Sequence, residues 1–155
     1  MDIQFPSFLQ KGDKVVIVSP SSKIDQQFLK GAKKRIESWG LKVAMGKYAG
    51  SSSGRYAGTI RQRLKDLQDA MDGPKVKAIL CSRGGYGAVH LIDKIDFTAF
   101  HEHPKWLLGF SDITALHNLF QKNGYVSLHS LMARHLTVEP EDDLCTNYLK
   151  DILFG

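Results

Sequence analysis

Residues 106–114, Trp-Leu-Leu-Gly-Phe-Ser-Asp-Ile-Thr, join an apolar run to an amphipathic one through a Gly-x-Ser turn. The apolar run predicts a buried strand, and the spacing of apolar residues from Ile113 to Phe120 predicts a helix. A strand that turns sharply into a helix through Gly-x-Ser lifts the serine hydroxyl out of the sheet edge, where the first free N–H groups of the helix also point. Ser111 is therefore a candidate nucleophile with part of an oxyanion hole in the same turn.

Strand-like and helix-like segments alternate along the whole chain. The run at residues 14–18, Lys-Val-Val-Ile-Val, has no polar alternation, which is typical of a parallel strand covered by helices on both faces. Further strands are predicted at residues 41–45, 76–81, 106–110 and 126–129, and helices at residues 28–39, 60–72, 88–91, 113–123 and 142–153. The order predicts an α/β domain over residues 1–155, with a doubly wound, mainly parallel sheet of the Rossmann or flavodoxin-like kind.

A second turn, residues 83–88 (Arg-Gly-Gly-Tyr-Gly-Ala), follows the predicted strand at 76–81. Its glycines allow positive φ angles and close approach of a ligand to the backbone. The pattern leaves open an anion or dinucleotide cradle, a second oxyanion donor facing Ser111, and a plain strand-to-helix turn. The dinucleotide fingerprint is incomplete, because His90 replaces its third glycine and Lys105 stands about 20 residues on, where an acid is expected.

Two observations on Ser111 favour other interpretations. A serine followed by Asp112 at the start of a helix is commonly just an N-cap. The motif also departs from Gly-x-Ser-x-Gly, since Ile113 replaces the second glycine. No histidine supplies a convincing base: His117 is expected to point away from Ser111 around its helix, and His129 is interpreted as structural.

Composition excludes several classes of function. The chain has 155 residues, of which 43% are hydrophobic and 24% charged, as expected for one soluble domain. No apolar stretch approaches the roughly 20 residues of a membrane span, and no secretory signal is visible, so a cytoplasmic protein without a membrane partner is predicted. The formal charge of +5 is interpreted as a solvated helix face rather than a nucleic-acid site. The histidines and the two cysteines form no metal-binding pattern or disulfide framework.

The two turns together resemble the N-terminal domain of the LD-carboxypeptidases, the muramoyl-tetrapeptide carboxypeptidases whose relatives include the microcin C immunity peptidases. The resemblance extends over nearly the whole chain and rests most specifically on the order and spacing of residues 83–88 and 109–116. The other matching segments are residues 9–13 and 16–21, and residues 57–58 with Arg61 and Arg63 downstream.

The resemblance implies a serine peptidase that needs no metal or organic cofactor. Ser111 would attack an L,D-peptide bond and release a terminal D-amino acid, typically D-alanine, from a murein tetrapeptide during cell-wall recycling. The backbone N–H groups of Gly85 and Asp112 would form the oxyanion hole. The substrate-binding residues would be Arg83, Gly84 and Tyr86.

The same resemblance implies a C-terminal domain, absent from this chain, that carries the glutamate and histidine of a Ser-Glu-His triad. The isolated chain is therefore expected to be inactive, and its exposed interface makes a homodimer a further expectation. Ser130 and Leu131 replace the family's Gly-Pro after His129, which alters the pocket next to the nucleophile. A murein peptide and a peptidyl-nucleotide both remain open as substrates. The alternative function is a non-catalytic ligand-binding or protein-interaction domain.

Overall fold

The computed structural model describes residues 3–155 and contains a five-stranded sheet in which all strands are parallel, in the order β2-β1-β3-β4-β5. The strands are β1 (Lys14–Val18), β2 (Lys42–Met45), β3 (Val76–Cys81), β4 (Trp106–Gly109) and β5 (Leu128–His129). The helices are α1 (Gln26–Ser38), α2 (Ile60–Asp72), α3 (Thr98–Glu102), α4 (Thr114–Lys122), α5 (Ala133–Val138) and α6 (Leu144–Phe154). This strand order is the flavodoxin-like one, so the predicted α/β fold class is confirmed.

Both faces of the sheet are covered, which explains why its strands lack polar alternation. On one face the sheet packs against the apolar sides of α2 and α4, and on the other against α1, α5 and α6. Consecutive strand residues point to opposite faces, so Ile79 joins the first core and Leu80 the second. The two cores hold the strand ends in fixed positions relative to one another.

Local signals set the ends of the two longest helices. The Asp25 side chain accepts a hydrogen bond from the backbone N–H of Gln27 at the start of α1. Thr59 and Gln62 form the predicted capping box at the start of α2. Gly40 follows α1 with a φ of 87°, in the left-handed conformation that commonly ends helices.

Several boundaries differ from the predictions for physical reasons. The fifth strand covers two residues only, because the N–H of Val126 donates to the carbonyl of Gln4 instead of extending the sheet. The helix expected from residue 88 is a 3₁₀ turn, Ala88–His90. Helices α3 and α5 were not predicted, since no side chain caps the N-terminus of either.

The parallel sheet brings the ends of four strands to one edge. Val18 pairs with Cys81 across β1 and β3, and Gly109 pairs with His129 across β4 and β5. The turns that follow these strands therefore lie side by side, as the sequence predicted. None of the helices within residues 3–155 is long and apolar enough to cross a bilayer.

Candidate active site

Ser111 occupies a strained turn at the end of β4. Its φ is 61°, and within residues 3–155 no other residue except glycine has a positive φ. A left-handed conformation costs an L-residue about 1–2 kcal/mol, so the surrounding structure must hold this serine in place. The side chain is exposed to solvent at the carboxyl edge of the sheet. This is the geometry of a nucleophile elbow.

The N-cap interpretation of Ser111 is wrong. Ser111 begins a 3₁₀ turn (Ser111–Ile113) that leads into α4, and the residue at the cap position is Phe110, without a side-chain hydrogen bond. The hydroxyl of Ser111 has no hydrogen-bond partner in the part of the chain that is described. The backbone turn forms without help from the serine oxygen, which is left for another role.

The glycine turn at residues 83–87 lies directly against this serine. A Cβ atom built on Gly84 would lie 3.0 Å from Cβ and 3.1 Å from Oγ of Ser111, and 3.2 Å from the backbone nitrogen of Asp112. Any larger side chain at position 84 would fill the space in front of the hydroxyl. The absence of a side chain therefore keeps the approach to Ser111 open.

Two backbone amides next to Ser111 are free. Across residues 3–155, the N–H groups of Gly85 and Asp112 have no hydrogen-bond acceptor, whereas the neighbouring amides of Tyr86 and Ala88 each donate to a side chain. The φ of Gly85 is 100°, a conformation that L-residues rarely adopt. Free amides at a turn can bind a negative oxygen.

The carboxylate of Asp112 forms hydrogen bonds that connect the turn after β4 with the turns after β1 and β3. Its Oδ2 accepts a hydrogen bond from the hydroxyl of Ser21 at 2.6 Å and from the backbone N–H of Ala88 at 2.9 Å. Ser21 follows β1, and Ala88 directly follows the glycine turn after β3. Asp112 therefore fixes the elbow against both neighbouring turns.

Arg63 supports the same turns from behind. Its side chain is 2% exposed, and its guanidinium donates to the carbonyl oxygens of Pro20 at 2.7 Å and Gly87 at 2.8 Å. The guanidinium also lies over the ring of Tyr56, with 5.0 Å between Cζ and the ring centroid. Burial lowers the pKa of Arg63, and the nearby Tyr56 and Asp112 oppose that shift.

Of the histidines near the elbow, His117 is held by two hydrogen bonds. His117 uses both ring nitrogens, with Ser127 Oγ at 2.7 Å and the carbonyl oxygen of Gly109 at 2.9 Å. Burial lowers the pKa of His117, while the bond to Gly109 raises it and His129 lowers it further. His129 is exposed, and its ring lies near that of Phe110. No histidine of residues 3–155 is hydrogen-bonded to Ser111.

A cavity of ≈ 450 Å³ opens at Ser111. Its lining combines apolar side chains with polar and charged groups. The lining residues are Ile24, Asp25, Phe28, Ser82, Arg83, Gly84, Gly85, Phe110, Ser111, Met132, Arg134 and His135. Its size and mixed lining suit a small ligand.

The structure brings most of the sequence-predicted site residues together. Arg83, Gly84 and Gly85 line the cavity with Ser111, whereas Tyr86 lies outside its lining. The ring of Tyr86 is 45% exposed and packs beside Arg55 and His90, on the far side of the glycine turn. Sequence reasoning missed Arg134 and His135, for which no motif gave a signal.

The described residues contain no group of three or more histidine, cysteine or acidic side chains that could hold a metal ion. Cys81 is buried in the core, where burial raises the pKa of its thiol. Cys145 is exposed at the start of α6.

An exposed serine in a strained strand-to-helix turn, beside free amides, is the arrangement found in nucleophile elbows on parallel α/β sheets. Residues 15–130 match the family described as the LD-carboxypeptidase N-terminal domain. This chain therefore belongs to the LD-carboxypeptidase family, and the resemblance seen in the sequence is confirmed.

Individual relatives agree with this family. The chain is 39% identical over 128 residues to a probable murein peptide carboxypeptidase of Bacillus subtilis, covering 82% of this chain and 40% of that protein. It is 33% identical to the murein tetrapeptide carboxypeptidase of Pseudomonas aeruginosa, covering 82% and 42%. A crystal structure of an MccF-like protein from Bacillus anthracis superimposes with a TM-score of 0.89 and 31% identity, covering 98% of this chain and 47% of that one. The chain thus spans less than half the length of these relatives.

Proposed function

We propose that this chain is the nucleophile-bearing domain of a serine carboxypeptidase that cleaves an L,D-peptide bond and releases a terminal D-amino acid. The positive φ of Ser111, with its exposed and unbonded hydroxyl, is the observation that carries this proposal. A strain of this kind persists where the protein gains from the geometry it enforces. Family membership supports the proposed reaction class.

In this proposal the site would provide two of the three elements of acyl transfer, the nucleophile and the oxyanion hole. Ser111 Oγ would attack the carbonyl carbon of the scissile bond, and the negative charge would develop on the carbonyl oxygen. The free N–H groups of Gly85 and Asp112 would donate hydrogen bonds to that oxygen. The Asp112 carboxylate would not take part in chemistry, because it is already bonded to Ser21 and Ala88.

The third element, a general base, is proposed to come from a second domain. The resemblance implies a glutamate and a histidine there, and the greater length of the relatives, about twice that of this chain, supports a second domain. The base would accept the Ser111 proton and then protonate the leaving amine, so that water could release the acyl group. Without it the serine stays protonated, and the 155-residue chain would hydrolyse substrate only at a trace rate.

The proposed substrate is a murein tetrapeptide, from which D-alanine would be released. The relatives from Bacillus subtilis and Pseudomonas aeruginosa are named for murein peptides, which favours this substrate over a peptidyl-nucleotide. The cavity of ≈ 450 Å³ at Ser111 is large enough for the terminal residues of a peptide.

A fluorophosphonate probe tests the nucleophile without requiring the second domain. At high pH, where hydroxide replaces the general base, the probe should modify Ser111 at least about tenfold faster than Ser52, an exposed serine outside the site. Peptide mass spectrometry would locate the modification. Equal rates at the two serines would show that Ser111 is not activated and would leave a binding domain as the function.

A matched pair of glycine variants sharpens this test. Gly84→Ala places a methyl group 3.1 Å from Ser111 Oγ and should suppress labelling, whereas Gly12→Ala has open space around its new methyl group and should not.

A separate assay would measure the release of D-alanine from the tetrapeptide by the 155-residue chain. The rate should exceed that of the Ser111→Ala variant by no more than a trace. Enzyme-like turnover of the chain alone would overturn the proposed need for a second domain.

A further inference from the structure

Two guanidinium groups line the cavity next to Ser111. Arg83 comes from the glycine turn, and Arg134 comes from α5, which belongs to a different part of the chain. The cavity lining includes a single carboxylate, that of Asp25. The charged part of the lining therefore carries an excess of positive charge at neutral pH, before any contribution from His135.

One backbone hydrogen bond joins the two segments that carry these arginines. The N–H of Ala133, the first residue of α5, donates to the carbonyl oxygen of Ser82 at 3.1 Å. Arg83 and Arg134 are the residues that follow these two bonded residues. Their neighbouring positions are thus fixed by the backbone rather than by flexible side chains.

Helix α5 holds Arg134 on a rigid base. Ala133 and Leu136 are 0% and 1% exposed in the core that α5 shares with α1. Thr137 Oγ1 lies within hydrogen-bond distance of the carbonyl oxygens of Ala133 (2.8 Å) and of Phe28 in α1 (3.0 Å), and the Thr137 side chain fills the space that a Cβ on Gly31 would occupy. Arg134 itself is exposed, so only its side chain is free to meet a ligand.

Neither arginine is neutralised by a protein carboxylate. Within residues 3–155, ion pairs join Lys33 to Glu37, Lys65 to Asp69 and Lys94 to Asp93, all away from this cavity. The Asp25 carboxylate accepts from Gln27 N at the start of α1. Arg83 gives one N–H to the carbonyl of Lys23 at 3.0 Å and keeps the others, and Arg134 has no hydrogen bond in the described chain.

We propose that Arg134, together with Arg83, binds the free carboxylate of the residue next to the bond that Ser111 cleaves. This inference rests on the proposed function and adds the residue that would restrict the enzyme to the end of a peptide. A guanidinium can bind a carboxylate through two parallel hydrogen bonds, and Arg134 has every donor available. A peptide that continues beyond this residue lacks the charge and would bind less tightly.

A phosphate presents the same anionic chemistry, so the test includes both sources of negative charge. The protein would be the ¹⁵N-labelled chain carrying Ser111→Ala, which prevents turnover, titrated by NMR. The three probes are the murein tetrapeptide with a free terminal carboxylate, the same peptide with a terminal carboxamide, and adenosine monophosphate. The signals of residues 109–112 report binding at the elbow.

The free acid should bind about tenfold more tightly than the carboxamide, as expected for a charge-assisted pair that is partly exposed. Adding Arg134→Gln should make the two peptides bind equally, and Arg134→Lys should retain part of the preference. Arg61→Gln, which removes an exposed arginine of α2 outside the cavity, should leave the preference unchanged. Unchanged spectra away from the site would verify that each variant is folded.

Each contrary outcome has a distinct meaning. If the tetrapeptide shifts residues 109–112 and the acid preference survives Arg134→Gln, the inference is wrong and the proposed function stands. If adenosine monophosphate alone binds and depends on Arg134, the site takes phosphate and the carboxylate assignment is overturned. If no probe shifts these residues, the peptide substrate and the carboxylate site both fail.

Discussion

The glycine turn at residues 83–87 has two faces that differ in how completely their polar groups are bonded. On one face, Gly87 lies against the buried Arg63, whose guanidinium is bonded to backbone carbonyls and packed on Tyr56. On the other face, Gly84 lies against Ser111, whose hydroxyl is unbonded and whose backbone is strained. Residues 83–87 thus separate a saturated face, where the Arg63 guanidinium is hydrogen-bonded, from an unsaturated face, where the Ser111 hydroxyl has no hydrogen bond.

This difference shows how a small domain maintains a strained site. Strain and free amides are unfavourable, so they persist only where surrounding contacts over-determine the backbone. The side chains of Arg63 and Asp112 supply those contacts. Substitutions on the saturated face should therefore lower stability, whereas those at the serine should change stability little or raise it.

Arg63→Met should have the largest effect. It leaves the carbonyl oxygens of Pro20 and Gly87 buried without their donor, and should lower the free energy of unfolding by about 4 kcal/mol. Urea denaturation would measure the change. Arg61→Met, on the exposed face of the same helix, is the matched control and should stay within about 0.5 kcal/mol of the parent. An equal loss of unfolding free energy in the two variants would show that Arg63 does not stabilise these turns.

Gly87→Ala should cost about 3 kcal/mol on the same face. The new methyl group would lie 2.9 Å from Arg63 Nη1 and 3.0 Å from the Tyr56 ring, at a φ of 125°. Gly12→Ala separates crowding from backbone strain, because Gly12 has a φ of 90° and open space around it. Thermal unfolding should show a clearly smaller loss for Gly12→Ala, and a loss of equal size would mean that the packing against Arg63 is unimportant.

Lys105→Met tests a second buried cation, which has fewer hydrogen bonds than Arg63. We expect that Lys105, unlike Arg63, lowers the stability of the fold. Lys105 is 0% exposed just before β4, and its ammonium donates to the carbonyl of His103. Burial lowers its pKa to about 8, with the positive charge of Lys77 adding to the shift and Asp72 opposing it. Replacing it should raise stability at pH 7 by about 2 kcal/mol, after allowance for the lost hydrogen bond.

The pH dependence gives this prediction a second measurement. Between about pH 8 and 10.4 the unfolded chain holds a proton on Lys105 that the folded chain has released, so Lys105 adds a rise with pH to the stability of the parent in this window, on top of the fall that the buried Cys81 thiol adds to every variant. Lys105→Met should remove that rise, whereas Lys75→Met, at an exposed position, should retain it. Parallel curves for parent and Lys105→Met would show that the buried lysine carries no such penalty.

Ser111→Gly should have the smallest effect and the opposite sign to Arg63→Met. Glycine accepts the φ of 61° without strain, which outweighs its larger entropy in the unfolded chain, so stability should rise by about 0.5–1 kcal/mol. Both Ser111→Gly and Ser111→Ala lose the hydroxyl, but only the glycine variant relieves the backbone strain. The difference between their unfolding free energies, measured by calorimetry, therefore gives the effect of that strain. Ser52→Gly, where φ is not positive, should not gain stability. A loss at Ser111 comparable to that at Ser52 would show that the elbow is unstrained.

Sequence patterns predicted the fold well where burial alone determines structure. The strand Val76–Cys81 has the predicted bounds, because an apolar run between turn residues has few alternatives in a parallel sheet. Helix α5 was missed because its stability comes from packing on α1, which no local signal reveals. The shortened β5 likewise depends on a distant partner, Gln4.

The candidate site shows the same division. Ser111 and the glycine turn follow from motifs whose backbone requirements are local. Arg134 could not be predicted, because its place beside Arg83 depends on the bond between Ala133 and Ser82 from separate segments. The supporting role of Arg63 is also tertiary, since its acceptors are carbonyl groups that any residue could provide.

The two hydrogen bonds to the Asp112 carboxylate have a consequence for how the domain matures. They connect positions 91 and 24 residues away along the chain, so the elbow acquires its final shape only after the strands that carry those partners have docked. A nascent or partly unfolded molecule would thus lack the turn that exposes Ser111, and a chain that fails to complete the sheet would not form the proposed site.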